Sequence, residues 1–153
     1  MSSPLVSICL PTYNYARYLP QAISSCLNQT YEPLEIIITD DASTDNSREV
    51  ISSFDDPRIR FVENPVRLGL VGNWNKALSL VSGEIVKFIF ADDYLADNTV
   101  EEIVAAYRDP RVDLVFSSAR VIDGQGKYVY THEPYPQSGR LLGAQEAKEC
   151  LMR

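Results

Sequence analysis

Two pairs of adjacent aspartates, Asp40-Asp41 and Asp92-Asp93, stand directly behind apolar runs, and they are the residues best placed in this sequence to do chemistry. Runs of that length, residues 34–39 and 85–90, read as buried strands. In an open α/β sheet, ligands bind at the carboxyl ends of the strands. Pro11-Thr12-Tyr13-Asn14 follows the run at residues 5–10 in the same way, so three polar segments converge on one edge. Like charges gathered there repel one another and resist ionisation unless a cation or a donor-rich ligand offsets them. A divalent metal is the simplest offset. Carboxylate oxygens suit Mg2+ or Mn2+, which take one or two such ligands and fill their other positions with water and substrate phosphates. That arrangement reconciles an acidic protein with an anionic ligand.

The elements that must carry these segments follow from hydrophobic spacing. Residues 5–10 form a first strand stopped by Pro11. Leu19, Ala22, Ile23, Cys26 and Leu27 fall at i, i+3, i+4, i+7 and i+8, one face of a helix. After the second strand, a helix with Ser43, Thr44 or Asp45 as N-cap carries Val50 and Ile51. Ile59, Phe61 and Val62 give a third strand. Leu70, Trp74, Ala77, Leu78 and Val81 predict a helix ending at Ser82-Gly83. The fourth strand covers residues 85–90. Asn98 with Glu101 resembles a capping box, opening a helix with Val100, Ile103, Val104 and Tyr107 on its stripe, and residues 112–116 give a further strand. Strands alternating with helices predict an α/β domain with a doubly wound, mainly parallel sheet and helices on both faces. From residue 117 the rhythm changes: 119–122 and 128–131 flank Asp123-Gly124-Gln125-Gly126 as a hairpin turn or loop. A last helix begins near Leu141, with Ala144, Ala147, Cys150 and Leu151 as a partial stripe. It reaches Arg153 with nothing after it to pack against, so the chain reads as a single domain cut short.

Composition narrows the classes of function. With 153 residues, 14 Lys+Arg against 21 Asp+Glu and a net charge of −7, the chain has no basic grip for nucleic acid and suits one globular core. Cys9, Cys26 and Cys150 are too few and scattered for a disulfide framework or a zinc site and read as small buried fillers, which favours a reducing compartment. No apolar run approaches the roughly 18 residues of a membrane span, leaving peripheral membrane contact open. GxxxxGK[ST] and GxGxxG loops are missing. Asp45 reads as a helix cap, Trp74 as core and His132 as surface.

In order and spacing, Val6-Ser7-Ile8-Cys9-Leu10-Pro11-Thr12-Tyr13-Asn14, then Ser25-Cys26-Leu27-Asn28-Gln29-Thr30-Tyr31, then Ile37-Ile38-Thr39-Asp40-Asp41-Ala42-Ser43-Thr44-Asp45, resemble the opening of family 2 glycosyltransferases with the GT-A fold. Glu63-Asn64, Gly69, Asn75, Gly83-Glu84-Ile85 and Ala91-Asp92-Asp93 extend the resemblance to about residue 116. It implies a sugar-nucleotide donor site. Pro11, Tyr13 and Asn14 match nucleotide contacts, Asp41 the acceptor for the imide N–H of a uracil-type base, with Asp40 orienting the turn. Asp92 matches a ribose or diphosphate contact and Asp93 the ligand of an Mn2+ or Mg2+ ion that holds the donor diphosphate. Two departures stand out. Phe90 occupies the place of the first acid in an Asp-x-Asp pair, and Trp74 that of an arginine, for which Arg67 supplies the nearest cation.

The resemblance further implies inverting transfer of a sugar from a nucleotide-diphosphate sugar, UDP-sugar being favoured, to a hydroxyl of a saccharide, lipid-linked or protein acceptor. Its general base is expected beyond Arg153. Residues 1–116 would then form the donor-binding core and 117–153 the start of the acceptor side, in a protein of polysaccharide or cell-envelope synthesis located in the cytoplasm or at the cytoplasmic membrane face. A homodimer is left open. Two other readings remain at this point: a sugar-nucleotide-binding module or fragment without turnover, and a sugar-phosphate nucleotidyltransferase, which would want a Gly-rich basic loop where Pro11-Thr12-Tyr13-Asn14 stands.

Overall fold

The computed structural model describes residues 3–133, and the helix expected near Leu141, together with Cys150, lies outside them. The chain divides into two compact units, Met1–Val104 and Ala105–Arg153. In the first, four strands form one sheet in the order β3-β2-β1-β4: β1 (Val6–Thr12), β2 (Leu34–Asp40), β3 (Ile59–Glu63) and β4 (Ile85–Phe88). All neighbours are parallel, with Val6 opposite Leu34 and Thr12 opposite Asp40. Every residue of β1 is buried, as a strand covered on both faces must be.

Helices α1 (Leu19–Leu27), α2 (Ser47–Ser52) and α3 (Gly69–Leu78) make the crossovers, and α4 (Thr99–Ala106) follows β4. From β1 to β3 the chain steps outward in one direction, then returns past β1 to β4. Right-handed crossovers therefore put α1 and α2 on one face and α3 on the other. The packing agrees: α1 touches α2, while α3 lies on β1 and β2. Under α3, Cys9, Ile37 and Ala77 are fully buried, with Leu80, Val81 and Phe88 packed on them. The reversal between β1 and β4 is a topological switch point, where the carboxyl ends of the strands open a crevice.

Several boundaries differ from the sequence-based expectation. β1 runs through Pro11 to Thr12. Pro11 shares the parity of Cys9, whose carbonyl accepts from Ile89 N–H on the β4 side. The β4 ladder has ended there, at Phe88 opposite Cys9, so the missing proline N–H costs no ladder bond. For the same reason β4 stops at Phe88 and leaves Phe90 beyond the strand. The cap of α2 is Asn46, without a side-chain bond, because Asp45 is drawn to Ser47 N–H and to Ala16 N–H across the loop. Asn98 pairs with Glu102, while Glu101 accepts from Thr30, so the capping box does not form. In α3 the sheet-facing residues are Asn73 and Ala77; Leu70 and Leu78, expected on the buried stripe, are 69% and 45% exposed.

Gly83 is where the turn into β4 meets β1. A Cβ there would lie 2.6 Å from Leu5 O and 2.6 Å from Ser7 Oγ, so only glycine fits. Glu35 anchors the same corner by accepting from Ser7 Oγ, Ser82 N–H and Ser82 Oγ.

In the second unit, β5 (Ala119–Ile122) and β6 (Tyr128–His132) form an antiparallel hairpin. Its turn is closed by Asp123 N–H to Lys127 O and Gly126 N–H to Asp123 O. The strand expected at residues 112–116 is absent: only Leu114 has an isolated bridge, and a strand needs ladder partners along its length. His132 is exposed, as expected.

Candidate functional site

The second-strand acids have different duties. Asp40 turns back on its own loop, its Oδ2 accepting from Ser43 N–H at 2.8 Å and its Oδ1 from Ser43 Oγ–H. This closes a turn in which Ala42 adopts φ +59°, a left-handed conformation that a residue with a Cβ seldom takes. Asn14 shares that geometry at φ 58°. Its Oδ1 accepts from Thr44 N–H at 2.7 Å, and its N–H donates to Ser43 Oγ. The two loops are thereby tied to each other, and Asn14 does not line the cleft described below.

Asp41 is 2% exposed and accepts from three donors: Leu68 N–H at 2.6 Å, Gly69 N–H at 2.8 Å and Asn64 Nδ2 at 3.1 Å. Charge-assisted bonds of this kind are what allow a carboxylate to be buried. Asn64 Nδ2 also donates to Asn73 Oδ1 at 3.0 Å, and Asn73 Nδ2 donates to Thr39 O at 3.0 Å and Thr12 O at 3.3 Å. One buried network therefore joins the ends of β1, β2 and β3 to the first turns of α3. Motif and charge spacing do not single out Asn73. Its signal is a polar residue four before Ala77 and seven and eight before Leu80 and Val81, the spacing of the face that packs on the sheet.

These elements enclose a cleft of about 280 Å³ lined by Pro11, Thr12, Tyr13, Asp41, Arg67 and Asp92, among others. The Arg67 guanidinium sits 4.1 Å over the Tyr13 ring, a cation–π contact. Asp41 holds the two amides immediately after Arg67, so it also sets the arginine's place. Trp74 is not simply core. It lines the cleft and bridges Phe88, 5.5 Å away, to the exposed Phe90 at 5.2 Å.

The loop carrying Asp92 and Asp93 is fastened by the segment after α1. Buried Gln29 donates through Nε2 to Ala96 O at 2.8 Å and accepts Val100 N–H at 2.9 Å. Ser25 Oγ accepts Leu95 N–H, and Thr30 N–H donates to Asp97 O. Ser25 and Gln29-Thr30 thus act by holding the acid loop. Asp92 lines the cleft, and Asp93 follows it in a turn closed by its own N–H to Phe90 O. Burial pushes the Asp93 carboxyl above its ordinary range, the Asp92 carboxylate adds to this, and the Lys87 ammonium opposes both. Lys87, in β4, is itself pushed down by burial; as a lone cation inside an apolar strand it carries no motif that would mark it in the sequence.

The donor set fits a hard divalent cation only in part. Among the described residues no three His, Cys, Asp or Glu side chains converge as a closed metal site. Asp93, whose ionisation is opposed by burial and then by the Asp92 carboxylate beside it, matches a cation whose remaining ligands are water and phosphate.

The family model for glycosyl transferase family 2 matches residues 7–150. The chain belongs to glycosyl transferase family 2. An uncharacterized glycosyltransferase of Haemophilus influenzae is 38% identical over 104 residues, 67% of this chain but 42% of its own length. This family 2 chain thus spans less than half of that relative. Among solved structures, S. aureus TarS 1-349 in complex with UDP superimposes with a TM-score of 0.64 at 26% identity, covering 68% of this chain and 32% of the TarS 1-349 chain. The mannosyltransferase PcManGT of Pyrobaculum calidifontis, in complex with GDP-Man and Mn2+, does so with the same score and identity over 82% of this chain and 37% of its own. The mainly parallel sheet with its helices is the GT-A architecture of these neighbours. Among the described residues no helix is long and apolar enough to cross a membrane.

Proposed function

We propose that this chain is the donor-binding part of an inverting glycosyltransferase that uses a nucleotide-diphosphate sugar, a UDP-sugar in the first instance. The observation that carries the reading is the convergence of Tyr13, Asp41, Arg67 and Asp92 on one cleft at the β1/β4 switch point. Pro11 and Tyr13 form the wall for the base. Asp41 has two acceptor oxygens and three donors, which leaves one lone-pair direction on Oδ2 for the imide N–H of uracil. Arg67 pairs with the diphosphate, and Asp92 meets the ribose or the diphosphate. Asn14 acts at one remove, by bracing the 43–44 loop. The complexes of TarS with UDP and of PcManGT with GDP-Man support a nucleotide as the ligand class.

Asp93, with Asp92 beside it, would hold Mn2+ or Mg2+, which when bound offsets the charge that grows on the departing diphosphate. The chain's own contribution is positioning. Gln29 and Ser25 hold the acid loop, the Asp41–Asn64–Asn73 network holds the Arg67 loop, and the aromatic wall of Trp74 and Phe90 limits water. Proton removal from the acceptor hydroxyl falls to a carboxylate outside residues 3–133. Residues 1–116 form the donor part and 117–153 begin the acceptor side; hexosyl transfer to a saccharide, lipid-linked or protein acceptor at the cytoplasmic membrane face, in cell-envelope polysaccharide synthesis, completes the proposal.

Calorimetric titration of the chain with UDP in Mn2+ tests it. Saturable binding is expected, weakened when the metal is chelated. No heat above background at millimolar UDP overturns the reading, and native mass spectrometry with UDP, GDP and dTDP sugars ranks the bases.

A further inference from the structure

Trp74 and Phe90 both line the cleft, their ring centroids 5.2 Å apart and their planes 30° from parallel. Packing of α3 on the sheet does not require Phe90. Phe88 already lies against the buried cluster of Cys9, Ile37 and Ala77, with its ring 5.5 Å from Trp74. Phe90 stands past the end of β4 and is 42% exposed. Leu70, one turn before Trp74 on α3, also lines the cleft and is exposed. Apolar surface gathered in a concave site is satisfied only when a ligand covers it. Positions 74 and 90 are also the two at which the sequence departs from the family 2 motifs, where an arginine and an acid are expected. Contact between the two rings makes these departures one exchange, an aromatic pair for a pair of opposite charges. Either change alone would have left a charge without its partner, an arginine against Phe90 or a third carboxylate beside Asp92 and Asp93.

We propose that Trp74 and Phe90 act together as a specificity element, an aromatic platform for the C–H face of the nucleotide's ribose, so that the site reads this sugar by shape and accepts 2′-deoxynucleotides as readily as ribonucleotides. Covalent order puts the ribose between base and diphosphate, and the pair has the matching place in the cleft. Trp74 follows Asn73, which is bonded to Asn64 in the network that holds Asp41 at the base end. Phe90 O accepts from Asp93 N–H and so opens the turn that carries the acids. A carboxylate at position 90 could accept from ribose hydroxyls; a phenyl ring cannot, but its face covers ring C–H groups. Asp92 is then left to the diphosphate and its ion. This rests on the nucleotide-site reading above and deepens it. Covering the exposed part of the platform is worth about tenfold in affinity.

The experiment titrates the full chain by calorimetry with UDP, 2′-deoxy-UDP and pyrophosphate, each with Mn2+. Wild type is expected to bind UDP and 2′-deoxy-UDP within about twofold of each other. Phe90→Ala should weaken both about tenfold and leave pyrophosphate unchanged, and Phe90→Tyr, which keeps the ring, should retain both. The double variant Trp74→Arg/Phe90→Asp restores a charged pair and is expected to gain discrimination, binding UDP about tenfold more tightly than 2′-deoxy-UDP. Preference of the wild type for UDP by tenfold or more overturns the inference, since a polar group then reads the hydroxyl. Unchanged UDP affinity in Phe90→Ala overturns it, and so does an equal loss of pyrophosphate, which would make the pair a support of the acid loop. A folded double variant without any gain in discrimination removes the ribose from this wall. Should the double variant not fold, the wild-type comparison and the substitution at exposed Phe90 still decide. Failure of the wild type to bind UDP at all overturns the donor-site reading as well, whereas binding with strong preference for UDP overturns this inference alone, so the two failures are distinguishable.

Discussion

Asp41 shows how far one carboxylate can organise a site. It is buried yet bonded to two backbone amides and one side-chain amide, so Asp41→Asn replaces acceptor capacity with an NH2 group facing N–H donors. Loss of hydrogen bonds to a charged group costs about 1.5–3 kcal/mol each at most; urea unfolding of Asp41→Asn is expected to show a loss of about 3 kcal/mol, and UDP affinity should fall with it. Arg67→Ala leaves the network intact and removes the cation stacked on Tyr13, a contact worth about 0.5–1 kcal/mol of stability at an exposed site. About tenfold weaker UDP binding is expected from loss of the charge that faces the diphosphate, with stability lowered by no more than about 1 kcal/mol. A loss of stability with UDP affinity unchanged would show Arg67 to be structural. The duties of Asp40 and Asp41 are not separable in the sequence: adjacent acids behind a strand look alike until the turn, with Ala42 at positive φ, sends one into its own loop and the other toward α3.

Two glycines separate causes at the scale of elements. Gly69, the first residue of α3, has φ +77° and no atom within 4 Å of a would-be Cβ, whereas Gly83 has three atoms within 3 Å. Gly69→Ala is therefore expected to cost about 1–2 kcal/mol, the intrinsic penalty of a left-handed alanine. Gly83→Ala must push β1 backbone atoms apart and is expected to cost more; thermal melts of the two variants in parallel give the order. The reverse order would mean that the β4 turn yields more easily than its packing implies. α3 also shows where periodicity misleads. Its apolar residues Leu70, Trp74 and Leu78 do fall on a helical face, but the helix turns Asn73 and Ala77 to the sheet because Asn73 supplies the donors that Thr39 O and Thr12 O need.

For the molecule as a whole, acid sensitivity follows from a staple between α1 and β3. Arg58 donates to Leu27 O, Glu32 and Asp56. Hydrogen bonds from the Arg58 side chain and amide hold the Asp56 carboxyl down to about 2. At Glu35, burial pushes the carboxyl up, but bonds from Ser7, Ser82 and Gly83 outweigh it and leave the group below its ordinary value. A carboxyl depressed on folding contributes stability that is full above its unfolded pKa of about 4 and is lost as pH falls through the folded value. Stability should therefore decline from about pH 4 toward pH 2, and Asp56→Asn should flatten that part of the curve. An identical pH dependence in Asp56→Asn would remove the staple from the account.

The parallel α/β fold and the sheet edge where a site would form were legible in the chain itself. Buried strands such as β2 must be apolar for lack of water on either face, and their polar ends therefore stand out at residues 11–14, 40–41 and 92–93. Family membership was legible too, because the segments carrying residues of such different duties as Gln29, Asp41 and Gly83 resemble the family's motifs in order and spacing, and the family model matches residues 7–150. Tertiary structure alone decided which side chains share a space. Asn73 with Asp41, Arg67 with Tyr13, and Gln29 with Val100 and the acid loop are partners from different elements, and no local period encodes them. Hydrogen bonding between segments is satisfied only when all of them have docked, so its geometry is a property of the assembled sheet and helices and not of any stretch of chain.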